Sequence, residues 1–179
     1  MLDPLVREYL TFLRVERGCS PLTGEAYGHD LREYASFLAE RDVADPSAID
    51  RALIVEYEAA LVKAGMASTT VKRRISVLKG FHRYLVREGY TAKNPADAVS
   101  LPKAPEALPD VLGIEEMGQL LDAHDDEAPA GLRDRALLEV LYGCGLRASE
   151  AVSLDTGDVF LEDGFVRVVG KGSKERIAP

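Results

Sequence analysis

Two cations in the last third of this 179-residue chain belong to side-chain types that handle phosphate. Arg147 follows Gly145-Leu146 and opens a short helix, with Glu150 one turn further on. Lys171 lies in the stretch GKGSK at the end of an alternating, β-branched run. A planar, always-charged guanidinium grips two phosphate oxygens at once. A lysine serves as a general acid once its pKa is drawn toward neutrality. A cation at a helix N-terminus is disfavoured by about a few tenths of a kcal/mol, and a bound anion reverses that cost. Glu150 is spaced to orient the Arg147 guanidinium, as a supporting residue. The plain alternatives are an Arg–Glu surface pair and a soluble turn lysine. GKGSK is not a phosphate-binding P-loop, because the GxxxxGK[ST] spacing is missing and no helix follows.

These residues need elements to hold them. Helical periodicity dominates the first hundred residues. Leu5, Tyr9, Phe12 and Leu13 mark a first helix that Gly18 ends. A second runs from about Thr23, with Tyr27, Leu31, Tyr34, Phe37 and Leu38 on its apolar side. A third spans about Ser47 to Ala64, and a fourth starts at Ser68 as its N-cap and runs to Gly89. Four such helices with short loops make a bundle. Prolines 102, 105 and 109 then mark an extended linker. The expected domains are therefore 1–99, a linker at 100–109, and a second domain at 110–179. In the latter, helices are expected at Ile114–His124, Asp134–Tyr142 and about Arg147–Leu154. A strand at Phe165–Val169 enters a hairpin turned at Gly172-Ser173, with Lys171 and Lys174 on its flanks.

The formal net charge of −8 speaks against a polyanion binder, yet its distribution speaks for one. Residues 67–93 carry seven basic side chains and one acidic, inside an otherwise acidic chain. On a helix, Lys72, Lys79, Arg83 and Arg87 fall within about 80° of one another. Leu78, Phe81 and Leu85 lie opposite. That is a helix buried on one side and offered to a polyanion on the other. Ser68 and Thr69 at its start add donors for phosphate oxygens. Arg74 falls off the stripe and is expected at the bundle's rim.

Cys19 and Cys144 are far apart without a CxxC, so neither a disulfide framework nor a zinc site is expected. His29, His82 and His124 do not cluster in sequence, and lone histidines usually pack or face water. No apolar run approaches the roughly 18 residues of a membrane span, and the acidic start Met1-Leu2-Asp3 is unlike a signal peptide. A cytoplasmic location is expected.

YGCGLRASEAVSLDTGDV followed by VRVVGKGSKERIAP resembles the first half of the catalytic domain of tyrosine recombinases of the XerC/XerD type. ERGCSPLTGEAYGHDLREYASFL and STTVKRRISVLKGFHRYLVREGYTAKNPADAVSLPK resemble that family's SAM-like core-binding domain. The resemblance implies a mainly α fold: a four-helix core-binding domain, then an incomplete α+β catalytic domain with a β-hairpin. It also implies site-specific DNA recombination without cofactor or metal. In the family a tyrosine attacks a scissile phosphate and forms a 3′-phosphotyrosyl link, which a 5′-hydroxyl later reverses. Arg147 matches an arginine that stabilises transition-state charge, and Lys171 a lysine that protonates the leaving 5′-oxygen.

The same resemblance places the second and fourth helices in the major groove. Thr23, Tyr27, Thr69, Lys72, Arg73, Lys79 and Arg83 are the expected DNA contacts, with Lys174 in the hairpin. The implied partners are a double-stranded recombination site, a homo- or hetero-tetramer with a partner recombinase, and a DNA translocase. Chromosome dimer resolution is the implied role, with an XerD-like rather than XerC-like character. The family's His-x-x-Arg box and nucleophilic tyrosine match nothing here, and none of the seven tyrosines fits the nucleophile's motif. The chain is thus expected to bind DNA without cutting it. Two rivals stand beside this reading: a truncated non-catalytic regulator, and an acidic helical interaction module.

Overall fold

The structure, a computed structural model, describes residues 2–101, 108, 110–123, 128–170 and 174–179. Pro102, Pro105, Pro109, His124, Lys171 and the expected turn at Gly172-Ser173 lie outside the described residues. The chain divides into two units, Met1–Ala107 and Leu108–Pro179.

The first unit contains α1 (Asp3–Val15), α2 (Pro21–Ala39), α3 (Arg51–Lys63) and α4 (Ser68–Arg87), with a 3-10 turn at Pro46–Ala48. Proline in the first turn of α1 and of α2 forfeits no helical hydrogen bond, since those N–H groups have no partner in the helix. The Ser20 hydroxyl caps α2 by accepting from the Thr23 N–H at 3.3 Å. The Asp50 carboxylate caps α3 by accepting from the Leu53 N–H at 2.9 Å. The expected third helix therefore breaks near its start. Asp45 caps the 3-10 turn, Asp50 caps α3, and the backbone at Ile49 and Asp50 between the two elements is extended. Ser68 is not a cap either. Ala67 holds that position without a side-chain bond, and Ser68 is the first helical residue.

Val6, Tyr9, Leu31, Tyr34, Leu38, Ile54, Ile75, Leu78, Phe81 and Leu85 fill the bundle's core. Each such side chain, fully withdrawn from water, contributes about 1.5–3 kcal/mol. Rings interlock where the helices meet. Tyr34 meets Tyr57 edge-on at 5.1 Å, and Tyr9 packs against Phe81 at 5.5 Å.

The second unit holds α5 (Ile114–Asp122), α6 (Pro129–Gly143), α7 (Ala148–Val152), a 3-10 turn at Thr156–Asp158, and strands β1 (Val159–Phe160), β2 (Phe165–Val169) and β3 (Glu175–Ala178). The sheet is antiparallel in the order β1-β2-β3. Val166 faces Ala178 and Val168 faces Arg176 in its register. Val166, Val168 and Ala178 point inward with Leu146 and Ala151, while Arg167 and Ile177 point out. β1 was not expected, because two residues are too short to show a period. Tyr142, which fits a helix-core position by spacing, is instead 55 % exposed. The fold is mainly α, with one small sheet in the second unit. Among the described residues, no helix is long and apolar enough to cross a membrane.

Candidate DNA-binding face and phosphate clamp

The basic helix α4 is amphipathic, but its cations are not alike. Lys72 and Arg83 are exposed and Lys79 is half-buried. Among the described residues, none of the three is paired with a carboxylate. Thr69 is exposed in the first turn. Arg87, in contrast, is held by Glu16 at 3.0 Å and lies over the Phe12 ring at 4.4 Å.

Arg73 and Arg74 both turn toward Asp30 on α2. Asp30 is 1 % exposed. The Arg73 guanidinium donates to both Asp30 oxygens, from Nη2 to Oδ1 at 3.1 Å and from Nη1 to Oδ2. Arg74 Nε lies 3.4 Å from Oδ1, and its Nη1 donates to the Tyr57 hydroxyl at 3.5 Å. Arg74 is therefore a core residue at 6 % exposure, not a rim residue. A carboxylate on the apolar face of α2 supplies the compensation its burial requires. Arg73 remains part-exposed, with its donors engaged by Asp30.

His82, one helical turn from Leu78, is also fully buried. Its Nε2 is 3.1 Å from the Tyr34 hydroxyl, and burial pushes its pKa down to about 4. On α2, the Thr23 hydroxyl is shared with Ser20 at 2.9 Å, and Tyr27 is half-buried against the core.

In the second unit a turn delivers Arg147. Gly145 has φ +58°, a left-handed conformation that costs glycine little and other residues about 1 kcal/mol or more. It ends α6 and lets the Leu146 N–H donate back to the Leu141 carbonyl at 3.2 Å. Leu146 is thereby buried beside Leu141, and Arg147 starts α7 in extended backbone. Glu150, 4 % exposed, reaches back to it. The Arg147 N–H donates to Oε2 at 2.9 Å, and Arg147 Nη1 donates to Oε1 at 2.7 Å. The Arg147 side chain is nonetheless 69 % exposed.

A second guanidinium completes the group. Arg176 Nη2 donates to Glu150 Oε2 at 2.9 Å. The Glu150 carboxyl is held down to about 2, first by the Arg147 N–H and then by the two guanidinium groups, against the opposing effect of burial. A cleft of about 390 Å³ opens here, lined by Arg147, Ser149, Glu150, Val169 and Gly170.

Of the expected site residues, the second unit brings together Arg147 and Glu150. Lys174 is exposed just before β3, and its carbonyl accepts from the Gly170 N–H at 2.8 Å. In the first unit α4 presents Thr69, Lys72, Lys79 and Arg83. Arg176 and Asp30 were not foreseen. Alternation along β3 pairs Arg176 with buried Val168, and helical spacing sets Asp30 between Tyr27 and Tyr34, so both signals were present.

One unit carries an exposed guanidinium steadied by a buried carboxylate, and the other a helix with exposed cations along one face, side-chain chemistry suited to a polyanion. Comparison with known proteins narrows this. Residues 6–89 match the phage integrase N-terminal SAM-like domain, and residues 110–179 match the phage integrase family. The chain belongs to that family, the tyrosine recombinases. It is 42 % identical over 178 residues to tyrosine recombinase XerD of Staphylococcus epidermidis and 40 % identical to that of Staphylococcus haemolyticus. Each alignment covers 99 % of this chain and 60 % of the relative, so the chain spans about three-fifths of their length. In fold it is similar to a lambda integrase (75-356) dimer bound to a COC′ core site, with TM-score 0.76, 20 % identity, and coverage of 99 % of this chain and 62 % of that one. It is also similar to a lambda integrase tetramer bound to a Holliday junction, with TM-score 0.73, 21 % identity, and coverage of 99 % and 50 %.

Proposed function

We propose that this chain is the DNA-gripping and phosphate-clamping part of an XerD-like recombinase that resolves chromosome dimers in the cytoplasm. The observation that carries the reading is Arg147, whose exposed guanidinium is anchored by buried Glu150 at 2.7 Å. Preorganised donors aimed at developing charge are usually the largest single contribution to such catalysis. In cleavage a tyrosine oxygen attacks phosphorus, the P–O5′ bond breaks, and a proton passes to the 5′-oxygen. Arg147 holds the non-bridging oxygens as their charge grows. Lys171 supplies the proton, and religation runs the same steps backward. No metal or cofactor enters.

Around the chemistry, Thr69, Lys72, Lys79 and Arg83 take backbone phosphates of the duplex. Arg73 contributes through its exposed side, and Thr23, Tyr27 and Lys174 lie at the margins. The working assembly is a tetramer on paired sites, with a partner recombinase and a DNA translocase. This 179-residue chain binds duplex DNA and leaves it uncut, since none of its seven tyrosines stands in the nucleophile's motif. A gel shift with a nicked duplex, followed by a denaturing gel, tests both parts. Salt-sensitive binding without a covalent adduct is expected. An adduct would overturn the inactivity, and absence of binding at low salt would overturn the reading itself.

A further inference from the structure

Arg176 does more than decorate a strand. Residues directly opposite in an antiparallel pair share a face. Arg176 pairs with Val168, which is 1 % exposed, and stands two residues before Ala178, also 1 % exposed. Its backbone is therefore in register with the inward face of the sheet, while its side chain stays 40 % exposed at the edge. Its head group meets Glu150 Oε2 at 2.9 Å and the Gly145 carbonyl at 3.5 Å. Gly145 belongs to the turn that delivers Arg147, and Glu150 to the helix that follows it. Gly170, at the end of β2, comes as close: a Cβ there would sit 3.2 Å from Glu150 Oε1. By comparison, outward-facing Arg167 pairs with Asp158 at 2.7 Å, away from this turn.

The geometry points to Arg176 as a positioning residue for the Arg147 phosphate clamp. It holds one oxygen of Glu150 so that the other is fixed on the Arg147 guanidinium, and it ties β3 to the Gly145 turn. Without it, that oxygen keeps only the Arg147 N–H, and the hold of Glu150 on the Arg147 guanidinium is loosened. The inference rests on the proposed role of Arg147 in holding DNA phosphate.

A double-mutant cycle tests it. Affinity of the full 179-residue chain for a duplex is measured by fluorescence anisotropy for the native chain, Arg147→Ala, Arg176→Met and the double variant. Methionine keeps the aliphatic stem and removes the charge. Residues in one hydrogen-bonded network couple strongly, so Arg176→Met should weaken binding by about three- to tenfold in the native background and have little effect beside Arg147→Ala. An equal loss in both backgrounds would overturn the inference, whether Arg176 touches DNA itself or only supports the fold. Arg176→Lys keeps a cation on Glu150 and should restore most of the affinity. It also serves if the methionine variant unfolds, and a lysine variant that folds yet loses affinity by the same factor with and without Arg147 would overturn the inference too. If Arg147→Ala binds as well as the native chain, the phosphate role of Arg147 fails. Positioning is then read from the Arg147 guanidinium nitrogen resonances: hindered rotation is expected in the native chain, and Arg176→Met should release it. Unchanged resonances would refute the inference independently.

Discussion

Asp30→Ala probes the joint between α2 and α4, the two helices proposed to face DNA. Asp30 is 1 % exposed and offers its carboxylate to Arg73 and Arg74 together. The two arginines are unequal. Arg73 is 45 % exposed, so water screens it and its share is at most about 1 kcal/mol. The Arg74 side chain is 7 % exposed, with the Tyr57 hydroxyl as its other partner at 3.5 Å. Removing Asp30 leaves that guanidinium buried without a counter-charge, a loss of about 3–5 kcal/mol. For a unit of this size, 1 kcal/mol moves the melting temperature by about 4–8 °C, so the drop should be about 12 °C or more. Thermal unfolding followed by circular dichroism measures it. Asp30→Ala with Arg74→Met removes both charges and should recover much of the loss, because an apolar replacement of a whole buried pair is often close to neutral. A single variant melting within about 4 °C of the native chain, or a double variant no better than the single, would refute the reasoning.

Three further outcomes follow from the same structure. His82 is buried with its pKa pushed down to about 4, below the 6.5 it has in the unfolded chain. As pH falls through 6.5 toward 4 the unfolded state takes up a proton that the folded state refuses, so the first unit should lose about 3 kcal/mol across that window. His82→Leu should flatten this slope in urea titrations, and an unchanged slope would exclude His82 as its source. Glu150, held down to about 2 from 4.5, confers stability that is complete above pH 4.5 and lost as pH falls toward 2. Melting curves of Glu150→Gln should lack that acid limb, and a persisting limb would place its cause elsewhere. Gly145→Ala forces a side chain into φ +58°, costing about 1 kcal/mol or more and displacing Arg147. It should weaken duplex binding in the gel shift while Gly143→Ala does not, and equal behaviour of the two would deny the turn its role.

Much of the frame was legible because helices announce themselves through spacing. Tyr9, Leu31, Leu78 and Phe81 stand on apolar stripes and are buried as those stripes require. The Gly145-Leu146-Arg147 turn and the FVRVV strand were legible for the same reason, since glycine punctuation and alternation are local signals. What failed was what depends on partners far away in sequence. Arg74 looked misplaced on a basic helix until Asp30, 44 residues earlier, gave it a buried carboxylate. Arg73 and Arg87 looked like free cations until Asp30 and Glu16 claimed them. Arg176 sits 26 residues from Glu150, and the sheet register brings them together. Helical angles can place a charge on a face. They cannot say which acid waits there.

If α4 holds a duplex through Lys72, Lys79 and Arg83, the dependence of duplex affinity on salt should differ between the 179-residue chain and its triple alanine variant. Each phosphate neutralised contributes about 0.9 to the slope of log K against log salt. Loss of all three cations should therefore flatten the slope by about 2.7. An unchanged slope, in a variant that melts like the native chain, would remove this helix from the DNA-binding face.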